Sequence, residues 1–312
     1  MTGNKLPPPT SDVCAVVITY KPQIELLQQV IASVQHQVGG LLVFDNGTQD
    51  TALETYFLDL QNTSPAIVVE RSSRNVGLAA AMNRAAEHAR AHGFNHLLLL
   101  DQDSQPNPDM VALLKAALLQ LQRTEPVAAV GPQFRDRRTG YVAPFVKVGF
   151  PVSHKLNGGP GQQVRCDFLI SSGSLIPLAS FDRVGPMDEG LFIDNVDLEW
   201  CFRAQHRGMA LYGICDAQMQ HSIGDGLRPS RFVRGGIKIH QPIRFYYITR
   251  NRVLLYGRKE TPAVWIAQDI PKLVCKVFTT LLFLKPSGAY MRSMAKGLWD
   301  ALRGKTGPIS RP

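Results

Sequence analysis

The chain has 312 residues, a formal net charge of +9 and a pI near 9.4, with 45% hydrophobic and 19% charged residues. That composition excludes a disordered, collagenous or coiled-coil chain, and this length can bury a core without disulfide or metal staples. The positive surplus points to an anionic partner, and nucleic acid, an anionic membrane and a phosphorylated substrate all satisfy it.

In chain order, no apolar stretch follows Lys5, so no secretory signal is expected. Residues 13–19 are rich in β-branched side chains and predict a buried strand. Pro22 opens a helix with Ile24, Leu27, Val30, Ile31 and Val34 on one face. Strands are expected over 41–44, 66–69, 96–100 and 127–130, and helices over 48–60, 77–91 and 108–121. This alternation predicts an α/β fold, a mostly parallel sheet with helices on both faces. After Gly131 the pattern loosens. Short strands are expected around 166–177, a helix over 197–206, a strand over 211–215 and a Gly/Arg-rich loop over 224–236. Helices follow at 242–257, 263–284 and 287–303, with Pro271 breaking the second. The apolar run 277–284 falls short of the about 20 residues a membrane span needs. None of the five cysteines forms a CxxC pair, so buried free thiols in a reducing cytoplasm are expected.

Acidic residues collect where such a fold binds ligands, at the carboxyl ends of its strands. One strand ends in Asp45-Asn46-Gly47 and another in Asp101-Gln102-Asp103-Ser104. Asp101 and Asp103, two apart in an extended segment, point the same way. Two carboxylates suffice for Mg²⁺ or Mn²⁺ when substrate phosphates complete the shell. A second group, Asp194, Asp197 and Glu199, offers a catalytic base. Asp197 as a helix cap and Glu199 paired with Arg203 are the structural alternatives.

Together these motifs resemble glycosyltransferase family 2, with its GT-A fold, and within it the bacterial rhamnosyltransferases. The resemblance rests on Val16-Val17-Ile18-Thr19-Tyr20, Asp45-Asn46-Gly47, Arg74-Asn75-Val76-Gly77, Leu99 to Ser104, Phe168 to Gly173, Leu191 to Trp200 and His221 to Gly224, in order over about 13–225. Tyr246 to Asn251 and Gly297 to Asp300 also look like that branch. The resemblance implies a GT-A catalytic domain over 1–225, with a nucleotide half (13–130) and an acceptor half (131–225). A basic loop and helical extension would follow over 226–312. It implies inverting transfer from dTDP-L-rhamnose to a glycan or glycolipid of the bacterial cell surface. Thr19, Tyr20, Asp45, Arg74 and Asp101 would hold the nucleotide, and Asp103 and His221 the metal. The family's usual base position is Asn195 here, which cannot take a proton. Asp194 is therefore expected to be the base, with Asp197 second.

Another nucleotide sugar, such as a galactosyl or galactofuranosyl donor, stays open, because Asp45 and Arg74 read the nucleotide and not the sugar. A dinucleotide-dependent oxidoreductase would need GxGxxG where Thr19-Tyr20-Lys21-Pro22 stands. A nucleic-acid-binding protein would have to use Phe245-Tyr246-Tyr247 among Arg244, Arg250 and Arg252, which reads more simply as a packed helix, and a non-catalytic scaffold would have little use for both acidic groups. Residues 226–312 hold 17 Lys and Arg against three acids, a local charge of +14, whereas 1–225 carry −5. Lys272 and Lys276 lie one turn apart on an amphipathic segment. That predicts peripheral contact with the anionic inner face of the cytoplasmic membrane, the alternative being a solvated helix face.

Overall fold

The computed structural model describes residues 10–64, 66–221, 226–228, 237–239, 241–284 and 286–309. The expectation about the first nine residues, most of the 224–236 loop, and Ser222 to Gly224 of the motif after His221 lie outside the described residues.

The chain opens with β1 (Thr10–Thr19), α1 (Ile24–Val34), β2 (Val38–Asp45), α2 (Thr51–Thr63), β3 (Ile67–Arg71), α3 (Leu78–Ala91) and β4 (His96–Asp101). These four strands run parallel in the order β3-β2-β1-β4. Alternate residues of β1 serve two cores. Val13, Ala15 and Val17 pack with Leu27 of α1 and Phe57 of α2. Cys14, Val16 and Ile18 pack with Ala81, Met82 and Ala85 of α3. Burial on both faces is what a parallel sheet between two helical layers requires, and it explains the unbroken apolar runs. The short alanines of α3 let that helix lie close to the sheet.

Then come β5 (Gln105–Pro106), α4 (Met110–Leu121), β6 (Val127–Asp136), β7 (Phe145–Lys147), β8 (His154–Leu156), β9 (Gln163–Cys166), β10 (Leu175–Pro177), α5 (Leu178–Val184), α6 (Val196–His206) and β11 (Ala210–His221). β10 runs antiparallel to both β4 and β6, while β11 is parallel to β6. The sheet order is β3-β2-β1-β4-β10-β6-β11-β5, with β9 on β11. The β7–β8 hairpin and α5 were not expected, because elements of three to seven residues show too little periodicity to be read. Within the stretch expected to be a loop, β12 (Gly226–Arg228) forms and pairs antiparallel with β13 (Ile237–Ile239), which lies just beyond it.

The C-terminal helices are α7 (Pro242–Tyr256), α8 (Ala263–Phe283) and α9 (Ser287–Leu302). The expected break at Pro271 does not occur: α8 continues through it. Pro271 and Ala267, whose carbonyl loses its partner there, both sit on the exposed side, where solvent can satisfy that carbonyl. Helices α7 and α9 approach closely at Gly297, where a Cβ would lie 2.5 Å from the Tyr246 carbonyl oxygen. Phe245 and Tyr290 close the same contact edge to face, with ring centroids 5.0 Å apart. Gly297→Ala must push the two helices apart. A loss of about 1–3 kcal/mol is expected, read as an earlier midpoint in urea unfolding.

Candidate active site

Parallel strands bring their carboxyl ends to one edge, and the residues singled out in the sequence stand there. Thr19 pairs in register with Asp45, and Ile18 with Asp101. Thr19 Oγ1 and Asp45 Oδ2 are buried with no hydrogen-bond partner among the described residues. Arg71 Nε lies 3.7 Å from that carboxylate oxygen. Asp45 Oδ1 accepts the Thr48 N–H at 3.1 Å, so the side chain is held with one oxygen spare. Buried polar atoms without partners are costly, and two together mark a place built for a ligand donor. Tyr20 is exposed, and its N–H donates to Gln102 Oε1 at 2.8 Å, tying the end of β1 to the turn after β4. Arg74 is exposed in the loop after β3. Gly47, at φ +87°, lets that loop's backbone lie against its own, since a Cβ there would strike the Arg74 carbonyl carbon.

The turn after β4 carries the second group. One ligand atom from each of Asp101, Asp103 and His221 lies within 4.8 Å of the others. His221 ends β11, on the far side of the sheet from β1, so only the fold joins it to the two aspartates. A chain of hydrogen bonds fixes the three. The Asp101 N–H donates to Ser172 Oγ at 3.0 Å, Ser172 Oγ to Ser104 Oγ at 2.5 Å, and Ser104 Oγ meets His221 Nδ1 at 2.8 Å. Asp103 Oδ1 lies 3.4 Å from the same ring nitrogen. Burial pushes the Asp101 carboxyl up to about 6; Asp103 and Asp197 add repulsion, and His221 and Arg244 pull against it.

The third group precedes α6. Phe192, Asp194 and Asn195 all have positive φ, at 64°, 65° and 60°. Side chains of this kind rarely adopt that conformation, and α7 supplies what holds them. Arg250 is fully buried and donates to the carbonyls of Gly190 (3.1 Å), Leu191 (3.0 Å) and Gly307 (2.5 Å). Asn251 Nδ2 reaches the carbonyls of Leu191, Ile193 and Asp194 at 2.8–2.9 Å. On the other side, the Leu78 N–H at the start of α3 donates to the Phe192 carbonyl at 2.6 Å.

The acids of this segment have different surroundings. Arg244 grips both oxygens of Asp194, at 3.2 and 2.5 Å. Glu199 is buried between Arg203 and Arg258, and so serves the structure. Asp197 stands in the first turn of α6 and accepts the N–H groups of Leu198 (2.8 Å) and Ser171 (3.3 Å). Burial raises its carboxyl above the usual range, opposed by those backbone donors. Its charge is felt at Asp101, so it lies within electrostatic reach of the aspartate–histidine cluster. Asn195 Nδ2 is buried without a hydrogen-bond partner among the described residues.

A match to the model of glycosyl transferase family 2 spans residues 14–150. The dTDP-rhamnosyl transferase RfbF of Shigella flexneri is 30% identical over 95% of this chain and 97% of its own length. The chain belongs to glycosyltransferase family 2. Within that family it stands with the bacterial rhamnosyltransferases. The galactofuranosyltransferase GlfT1 of Mycolicibacterium smegmatis is 27% identical over 82% of this chain and 88% of its length. Among solved structures, GalNAc-T7 with UDP, GalNAc and Mn²⁺ superposes with a TM-score of 0.59 at 14% identity, over 94% of this chain. The chain spans 57% of the GalNAc-T7 chain. TarS of S. aureus with UDP-GlcNAc gives 0.52 at 14% identity, over 92% of this chain and 80% of TarS 1–349. These neighbours share the GT-A fold.

Sequence reading missed Ser104 and Ser172 as the link between Asp101 and His221, and Arg244, Arg250 and Asn251 as the grip on the loop. Tyr246 to Asn251 had stood out only as a shared motif. Asn251→Leu keeps the volume but removes the donor from three carbonyls. The transferase variant should keep its far-UV CD spectrum while losing about tenfold or more in turnover, read as dTDP release, because the loop before α6 relaxes.

Proposed function

We propose that the chain transfers L-rhamnose from dTDP-L-rhamnose to a hydroxyl of a glycan or glycolipid acceptor, with inversion and with Mg²⁺ or Mn²⁺. The observation that carries this is the placement of Asp101, Asp103 and His221 at one strand edge, with Asp197 in electrostatic reach and with Thr19 and Asp45 oxygens at the same edge that have no hydrogen-bond partner among the described residues. The name of the Shigella flexneri relative supports the donor.

Two carboxylates and an imidazole in this compass suit a hard divalent cation that completes its shell with phosphate oxygens. When bound, such a cation would offset charge on the departing diphosphate. The spare Asp45 oxygen would accept the pyrimidine N–H, with Thr19 and Tyr20 lining the base and Arg74 beside it. As the acceptor oxygen bonds to the sugar's anomeric carbon, the bond to dTDP breaks, and a carboxylate takes the acceptor's proton. In this reading Asp197 takes it, ahead of Asp194, because the Arg244 guanidinium pairs with Asp194 through both oxygens, whereas the donors to Asp197 are neutral backbone N–H groups. Burial makes Asp197 a stronger base than an ordinary carboxylate. The products are an α-L-rhamnoside and dTDP. The acceptor belongs to cell-surface polysaccharide, lipopolysaccharide or rhamnolipid synthesis. The enzyme works at the inner face of the cytoplasmic membrane through its basic C-terminal region.

A galactofuranosyl donor is the second reading, favoured by the resemblance to GlfT1. A nucleic-acid partner is disfavoured, because Phe245, Tyr246 and Tyr247 are buried and cannot stack on bases.

Transfer from dTDP-L-rhamnose, and not from UDP-galactofuranose, is expected in a donor screen that reads nucleotide release. Asp197→Asn should lower turnover by about 100-fold or more with donor binding retained. Asp194→Asn behaving that way in its place would return the base to Asp194. Asp103→Asn should abolish metal-dependent turnover in a folded protein, and unchanged activity would remove the metal role.

A further inference from the structure

Among the described residues, helix α8 is partnered on one side only. Trp265, Gln268, Asp269 and Thr280 are buried. Trp265 packs on Phe202, and Asp269 pairs with Arg252 and accepts from the Tyr256 hydroxyl. The opposite side exposes Ile270 (47%), Val274 (50%), Phe278 (61%), Leu281 (42%) and Leu282 (70%). Spacings of four, four, three and one place all five on one face, which runs about 18 Å along the 21-residue helix. Among the described exposed residues of α8, Lys272 is the charged one, and it lies toward the partnered side, where its ammonium donates to Gln268 Oε1 at 3.2 Å. A contiguous apolar surface of this size marks an interaction site.

Its charge setting decides the occupant. Residues 226–312 carry +14, and of those cations Lys259, Lys272, Arg292, Arg303 and Lys305 are exposed. A second copy seated on α8 would bring two such charges together, whereas an anionic surface would be drawn to them. The helix does not cross a bilayer: no helix among the described residues is long and apolar enough. An amphipathic helix with a wide apolar face and basic surroundings lies in the plane of the headgroup layer.

We infer that α8 docks in the plane of an anionic lipid surface, burying Ile270, Val274, Phe278, Leu281 and Leu282 among the acyl chains. This gives the membrane contact of the proposed function a specific face, and it does not depend on the sugar transferred. It also bears on the site. The Lys276 ammonium of α8 sits 4.9 Å over the Phe245 ring. It feels both Asp194 and Arg244, so the helix in the lipid is the helix beside the catalytic loop.

The test is co-sedimentation of the full chain with vesicles of phosphatidylcholine alone or mixed equally with phosphatidylglycerol. Wild type is expected to pellet with the mixed vesicles at low salt and to be released as salt rises. The Phe278→Ser/Leu282→Ser variant should lose about tenfold or more in partitioning while its unfolding midpoint holds, since both side chains are already in water. Wild type staying in the supernatant overturns the inference, as does a variant that binds as well as wild type. Light scattering that shows a wild-type dimer dissociated by the same variant assigns the face to a second copy and also overturns it. Vesicle binding and nucleotide release are separate readouts, so either reading can fail while the other stands.

Discussion

Arg250 and Asn251 hold a stretch of backbone that would not stay where it is by itself. Phe192, Asp194 and Asn195 have positive φ, a conformation that costs about 1–3 kcal/mol at each such residue. The offset comes from side-chain donors in a dry place, where each hydrogen bond is strong and each orphan costly. Arg250 gives its hydrogen bonds to carbonyls and to Asn251 Oδ1, and lies over the rings of Tyr246 and Tyr247 at 5.3 and 5.0 Å. The buried guanidinium is thus neutralised by dipoles and aromatic faces, with its reach spent on one loop. That loop leads directly into α6, so the grip of α7 sets where Asp197 stands.

The same loop is fixed from the nucleotide side. The Phe192 carbonyl takes the Leu78 N–H at the head of α3, and Gly77 permits the approach because a Cβ would lie 2.5 Å from Phe192 Cδ2. Gly77 is in turn tied to β2, since Asn46 Nδ2 donates to its carbonyl at 3.3 Å and Asn46 Oδ1 accepts the Val76 N–H at 2.8 Å. A continuous set of contacts therefore runs from the strand that ends in Asp45, through α3, to the segment bearing Asp194 and Asp197. The acids that meet at this edge repel one another. Asp101 bears the effect most plainly, its carboxyl raised to about 6 by burial and then by Asp103 and Asp197. Negative charge gathered at such short range attracts cations, and Arg244 at Asp194 and Arg71 at Asp45 are supplied by the protein itself.

The parallel half of the fold was legible because its signals are long. Seven apolar or β-branched residues in β1, and the alanine-rich face of α3, leave little choice of period. Its site residues were legible for the same reason, since Thr19, Asp45 and Asp101 each end such a run. His221 is different. It joins Asp101 and Asp103 only through the placing of β11 beside β6, a pairing between distant segments that local pattern does not encode. The contrast between Asp194 and Asp197 was hidden likewise, because it depends on Arg244, fifty residues downstream of Asp194. Pro271 shows a rule outweighed: a helix anchored through Trp265, Asp269 and Thr280 tolerates one lost hydrogen bond on its open side.

The positive charge of the C-terminal region divides by position. The arginines of α7 and the turn after it point inward: Arg244 to Asp194, Arg252 to Asp269, Arg258 to Asp188 and Glu199, and Arg250 to the loop carbonyls. A planar guanidinium suits such buried, multiply bonded positions. Other cations stay in water: Lys259 is 81% exposed and Lys305 50%, and Arg292 and Arg303 are exposed. Part of the +14 is therefore internal, closing α7 onto the segment before α6. That leaves the exposed cations to meet an external anion. A long-range attraction from a few such cations is weak and screened by salt. The apolar face of α8 then has to supply most of the holding once the surface is reached, with the charge setting only which surface it reaches.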